Sequence, residues 1–160
     1  MPGWWLCAMS MEIYILSDRQ LASVEAWQKA IDAEGFGLAL LDDGPIARLR
    51  GHLPARWKEQ PAGFECYHDD PDQLTAGYPA IDFGHRWSYA LALRWGADLN
   101  ACQGANMAAC AYARATDGVV FETEAGVLMS PAEAAAHVRE TERLLPSVEA
   151  ALQKLARGGG

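Results

Sequence analysis

No two of the four cysteines, Cys7, Cys66, Cys102 and Cys110, stand in a Cys-x-x-Cys pair. The sequence therefore announces neither a dithiol redox motif nor a structural zinc site. Their density is also too low for a secreted disulfide scaffold, so they read as free thiols of a reducing, cytoplasmic compartment. Basic residues are scarce: 13 Lys and Arg face 21 Asp and Glu, for a net charge of −8. Phosphate backbones and anionic membranes attract clustered Lys and Arg. Nucleic acid and membrane are accordingly not expected as partners, and a protein with a basic face is. A plainer role for the charge, keeping the chain in solution, stands beside that one. Long hydrophobic runs are missing too. The apolar patch in MPGWWLCAMS, residues 1–10, is too short to span a bilayer and has no basic leader before it. Because Met11 directly precedes a strand pattern, residues 1–10 read as an N-terminal extension, from an upstream start or disordered. Phosphate-cradling loops fail as well, since Gly35-Phe36-Gly37 follows a helical pattern instead of opening one.

What is present points to one packed domain over residues 11–157. Hydrophobic residues make up 51% of the 160-residue chain, and a chain of this size buries a large core without a disulfide or metal staple. Glu12 to Leu16 is apolar on both faces, with Ile13 and Ile15 on one and Tyr14 and Leu16 on the other, which predicts a central strand. Ser17 with Gln20 predicts the start of a helix that carries Leu21, Val24, Trp27 and Ile31 and stops at Gly35. A short strand is expected over residues 36–41, then a turn at Asp42-Asp43-Gly44-Pro45. The locally basic stretch from Ile46 to Pro61 reads as an irregular excursion with a short edge strand.

GFECYH, residues 63–68, predicts a third strand, and a solvated acidic turn follows at Asp69, Asp70 and Asp72. The alternation of Trp87, Tyr89, Leu91, Leu93 and Trp95 predicts a long strand over residues 85–95 with one apolar face against helices. Asp98 is placed to cap a helix over residues 99–116 whose Ala and Gly side chains permit close approach to a sheet. The last strand is expected over residues 119–122, turning at Glu124-Ala125-Gly126, and Ser130-Pro131-Ala132-Glu133 is a capping box with proline in the first turn. It opens a final helix that Pro146 is expected to kink or divide. This order predicts the α+β class: a single-layer, antiparallel-rich sheet on a ferredoxin-like split βαβ plan, packed with helices and elaborated by the excursion and a C-terminal helix.

No catalytic centre is declared, and neither a metal nor a cofactor is expected. Cys66 and His68 share a strand face, and with a carboxylate and His52 or His85 they could assemble a metal site; a strand end beside an acidic turn explains the same residues more simply. Cys66 or Cys102 with His85 could pair as nucleophile and base, but no nucleophile motif surrounds them. Asn100, Gln103 and Asn106, three apart, read as the solvent face of their helix. Arg94, Trp95, Gly96, Asp98 and Asn100 gather where a strand turns into a helix, a common location for sites.

The stretch RWGADLNACQGANMAACAYARATDGVVFETEAG, residues 94–126, with GFECYHDD, residues 63–70, resembles a group of small bacterial proteins of no assigned enzymatic activity. In that group a Trp-Gly-x-Asp-Leu opening, an Ala-rich helix and a Thr-x-Gly-Val-Val strand before an acidic turn recur; here Thr123-Glu124 stands where an Asp-containing turn is expected. The resemblance implies an immunity protein of a polymorphic or contact-delivered toxin, a non-catalytic inhibitor whose cognate toxin has a basic face. Its expected contact surface is Glu65, Asp69, Asp70 and Asp72, with Trp95 and Asp98. The competing expectations are a small metal- or cysteine-dependent enzyme using Cys66, His68 and His85, and a ligand-binding or oligomerising regulatory module.

Overall fold

A strand that is apolar on both faces must be covered on both, and the arrangement of the chain follows from that demand. The computed structural model describes residues 11–158; the extension expected at residues 1–10 lies outside them. In chain order the elements are β1 (Met11–Ser17), α1 (Val24–Glu34), β2 (Ala39–Leu40), a 3-10 turn (Ile46–Arg48), β3 (Gly51–Leu53), β4 (Ala55–Trp57), β5 (Gln60–Pro61) and β6 (Phe64–Asp69). Then come α2 (Pro71–Ala76), β7 (Tyr89–Trp95), α3 (Leu99–Thr116), β8 (Val119–Glu122), β9 (Val127–Met129) and α4 (Pro131–Gly158).

Six strands form one sheet in the order β3-β6-β7-β1-β8-β9, with every neighbouring pair antiparallel. The inner run β6-β7-β1-β8 is the split βαβ plan: β7 lies between β1 and β6, and β1 lies between β7 and β8. β1 is thus central, as its composition predicts. The basic excursion is more ordered than expected, supplying β3 at the sheet edge and the strands β4 and β5, which join β2 in a separate three-stranded sheet, β2-β4-β5.

The two faces of the main sheet are covered differently. Ile13, Ile15, Leu91, Leu93, Cys66 and Val120 face the main core with α1, α3 and α4. Tyr14, Leu16, Ala90, Ala92 and Phe121 face a second layer made of Leu74, Phe83 and Trp87. The β7 strand therefore packs the long helices on one face, and the segment that begins with the short helix α2 covers the other. Residues 85–88, expected to begin that strand, instead belong to this covering segment, where Asp18 holds the Ser88 amide (3.1 Å).

Several local expectations are met and some are displaced. Ser130 and Glu133 form a reciprocal capping box, with Ser130 Oγ accepting from the Glu133 amide at 3.2 Å and Glu133 Oε1 from the Ser130 amide at 3.1 Å. Helix α1 begins later than predicted, because Ser23 is the cap, accepting from the Ala26 amide, while Ser17 completes β1. Pro146 lies inside α4 without dividing it. Its missing N–H leaves only the Glu142 carbonyl without a helical donor, a local loss that the packed helix tolerates.

Helix α3 is seated so deeply that nearly all of Ala101–Ala113 is buried. A Cβ on Gly104 would stand 2.5 Å from the Ala62 carbonyl oxygen, so only glycine lets the helix lie this close to the excursion. Alanine is favoured over glycine in a helix by about 1 kcal/mol, but overpacking a fitted contact costs about 1–3 kcal/mol. Gly104→Ala is therefore expected to lower stability in chemical denaturation despite its better helix propensity; a stabilised variant would contradict this seating.

Candidate functional site

Antiparallel register places the charged side chains of three neighbouring strands in one row. Glu12 on β1 lies opposite Arg94 on β7, and Arg94 lies opposite Glu65 on β6. Tyr14, Tyr67 and Asp69 share that face by the two-residue period of a strand. The Arg94 guanidinium donates from Nε to Glu12 and from Nη2 to Asp69 at 3.5 Å, and it lies over the Tyr67 ring at 4.8 Å from the centroid. The Tyr14 hydroxyl donates to Asp69 at 2.7 Å, and the Tyr67 hydroxyl donates to Glu65 at 3.2 Å. Burial, and then the hydrogen bond to Asp69, push the Tyr14 phenol above its ordinary range. Burial opposes the charge on Arg94, but the hydrogen bonds to Glu12 and Tyr14 more than offset it and raise its pKa.

This row borders a cleft of about 600 Å³ whose lining includes Glu12, Glu65, Arg94, Trp95, Tyr78 and Glu124. The second core layer reaches it only through Tyr78, so the row is the open end of a face that is elsewhere covered. Three carboxylates rim the cleft against one guanidinium, and that guanidinium is already engaged.

The expected contact residues separate into two groups. Glu65 is exposed at the cleft, Asp69 borders the charged row, and Trp95 lines the cleft edge while 7% exposed in the main core. Asp70, Asp72 and Asp98 have local partners. Asp70 caps α2 by accepting from the Asp72 amide at 2.9 Å. Asp72 holds Arg86 through two hydrogen bonds, at 3.0 and 2.6 Å. Asp98 caps α3 through the Asn100 and Ala101 amides. The turn expected at Asp69–Asp72 is thus the end of a strand and the start of a short helix. Sequence reasoning missed Glu12 and Tyr14; the signal was a charged residue inside an otherwise apolar central strand, as also at Arg94.

The residues considered for chemistry are dispersed. Cys66 is fully buried, and desolvation pushes its thiol up to about 12, so it stays protonated. His68 Nε2 bonds the Ile46 carbonyl oxygen at 2.9 Å. His85 pairs with Asp18 at 2.8 Å, and its ring lies 3.9 Å from that of Trp87 in the second layer, across the sheet from Cys66. Ser88 Oγ also donates to Asp18 (3.1 Å), which puts the carboxylate between serine and histidine, whereas a hydrolytic triad needs the imidazole between them. Among the described residues no group of three or more His, Cys, Asp or Glu side chains is arranged to hold a metal ion.

Two further expectations are corrected. Gln103 is not on a solvent face: α4 covers it, and its Nε2 donates to the Val138 carbonyl at 3.0 Å. Cys66 and Cys110 are free, as expected, but Cys102 is disulfide-bonded, against the expectation of a free thiol. No helix among the described residues is long and apolar enough to cross a membrane. No family model matches the chain, nor does any curated protein or solved structure.

At the end of β8, next to the cleft, Glu122 is 8% exposed and lies opposite Ile13 on the helix-covered face. No described residue hydrogen-bonds its carboxyl. Burial, then the charge of Glu124, raise its pKa above 4.5. A carboxyl raised by folding contributes stability that is present below its unfolded pKa and lost as pH rises through the folded one. Glu122→Gln is therefore expected to be more stable than the parent at neutral pH, with the difference vanishing in acid. Equal urea midpoints at pH 7 would contradict this.

Proposed function

We propose that the protein acts by contact with another protein, as a non-catalytic immunity-type inhibitor of a cognate bacterial toxin in the cytoplasm. The observation that carries this reading is the cleft at the open end of the sheet, where Glu12, Glu65 and Glu124 surround a single guanidinium. Arg94 is held by Glu12 and Asp69, so the rim keeps a surplus of negative charge. Such a rim complements a basic side chain, and complementary charge speeds encounter and fixes register. Tyr78 and Trp95 add aromatic walls to the same cleft, and a cation between carboxylates and aromatic rings gains from both. The sequence resemblance to immunity proteins supports the same class, and the net charge of −8 agrees with a basic partner.

Asp70 and Asp98 are left out of the contact surface because they cap helices, and replacing such caps costs about 1 kcal/mol of stability. The test therefore uses Glu65 and Glu124, which are exposed. Calorimetric titration against a toxin domain encoded beside this chain is expected to show at least about tenfold weaker binding for Glu65→Lys/Glu124→Lys. The melting temperature should stay unchanged. Undiminished affinity in the charge-reversed protein would remove the cleft from the interface.

A further inference from the structure

The cations of the basic excursion are left largely unneutralised. From Gly44 to Lys58 the sequence has no carboxylate, although Asp and Glu outnumber Lys and Arg by 21 to 13 over the whole chain. Burial alternates along this stretch: Leu49, Leu53, Ala55 and Trp57 are buried, while Arg48, Arg50, His52, Arg56 and Lys58 are exposed. Every second side chain apart from Pro54 is thus an outward cation or imidazole, about 7 Å from the next by the two-residue repeat of extended chain. Arg19, Arg86, Arg94, Arg114 and Arg143 each meet a carboxylate, and Lys58 meets Glu142. Among the described residues no carboxylate pairs with Arg48, Arg50 or Arg56. A surface charged only for solubility intersperses both signs, and this one does not. The stripe passes a cleft of about 250 Å³ lined among others by Leu41, His52, Pro54, Arg56 and Pro61. Leu41 is 52% exposed there. A Cβ on Gly63 would stand 2.7 Å from His52 Cε1, so the glycine makes room for the imidazole at the cleft. Asp98 also lines it, but its carboxylate already accepts from the Asn100 and Ala101 amides.

We propose that this stripe binds an extended acidic segment of a partner protein, with one apolar side chain in the cleft and carboxylates to either side of it on His52, Arg56 and Arg50. Charge complementarity selects the occupant: three guanidiniums without internal partners are matched by carboxylates, and a guanidinium–carboxylate contact is among the stronger hydrogen bonds. An extended peptide repeats its side chains at the same interval as the stripe, so alternate carboxylates fall in register with alternate cations. Leu41, Pro54 and Pro61 give the cleft an apolar lining that a carboxylate alone would not use. Nucleic acid fits less well. Sequence-tolerant binding of single strands relies on exposed aromatic faces, and Trp57, the one aromatic residue from Gly44 to Lys58, is 4% exposed. The net charge of −8 also repels a long polyanion beyond the stripe. This inference is independent of the acidic cleft at the sheet end, whose charge is of the opposite sign.

Fluorescence anisotropy of the full chain with a labelled peptide, a single leucine set among alternating glutamate and serine, tests the proposal. The peptide is expected to bind saturably, and more weakly as salt is raised. Arg50→Glu/Arg56→Glu is expected to lower the affinity at least about tenfold at an unchanged melting temperature; Arg50→Gln/Arg56→Gln serves if the charge reversal folds poorly. Exchanging the peptide's leucine for serine is expected to weaken binding to the parent protein, and Leu41→Ser to weaken binding of the leucine peptide. Absence of saturable binding would overturn the assignment, as would undiminished affinity in the arginine variants. Displacement of the peptide by an equal concentration of oligothymidine would overturn it too and give the stripe to nucleic acid.

Discussion

The close seating of α3 between the two sheets is the constraint on which the other features depend. Gly104 places the helix against the Ala62 carbonyl, and the Trp27 indole donates to the Ala108 carbonyl at 2.9 Å. Trp27 is completely buried and meets Phe64 and Tyr112 edge-on, so α1, β6 and α3 are locked through one side chain. On the other flank, Gln103 reaches the Val138 backbone and binds α4 to the same helix. Small side chains make this possible, because two backbones approach only where nothing larger than a methyl intervenes. Dispersion and hydrogen bonding at such distances stabilise the fold through many modest contacts.

Once α3 covers one face of the main sheet, the opposite face must find cover of its own. It does so incompletely: Leu74, Phe83 and Trp87 cover Tyr14, Leu16 and Phe121, and the cover ends before Glu12, Arg94 and Glu65. The charged row is tolerated because a guanidinium between carboxylates is largely satisfied within the protein. The cleft is therefore a by-product of where the second layer stops. Its lining holds three carboxylates, Glu12, Glu65 and Glu124, to the one guanidinium of Arg94.

The fold was legible where local chemistry is decisive. The double-faced apolar pattern of residues 12–16 marked a central strand, and Ser130 to Glu133 marked a helix start, each by a short-range mechanism. The order of the four inner strands agrees with the expected split βαβ plan, whereas β9, beyond the strand over residues 119–122 that was expected to be the last, was missed. What escaped the sequence was non-local. The start of α1 moved to Ser23 because Ser17 is consumed by β1, and Gln103 was assigned to solvent because nothing local reveals that α4 returns over α3. The site was half legible: Glu65, Asp69 and Arg94 stood out, but their union with Glu12 and Tyr14 depends on strand register. The acidity from Asp69 to Asp72 looked like a binding surface and proved in part to be helix capping and an ion pair, because carboxylates serve both ends and sequence does not distinguish them.

Amide hydrogen exchange tests the central role of α3 most directly. If the helix is the element on which both sheets and α4 are assembled, its amides from Cys102 to Ala113 exchange only through global unfolding, at the same free energy as those of β1 and β7. Exchange of α3 through a smaller opening, while β1 and β7 stay protected, would show that the sheet holds together without it and would contradict this account.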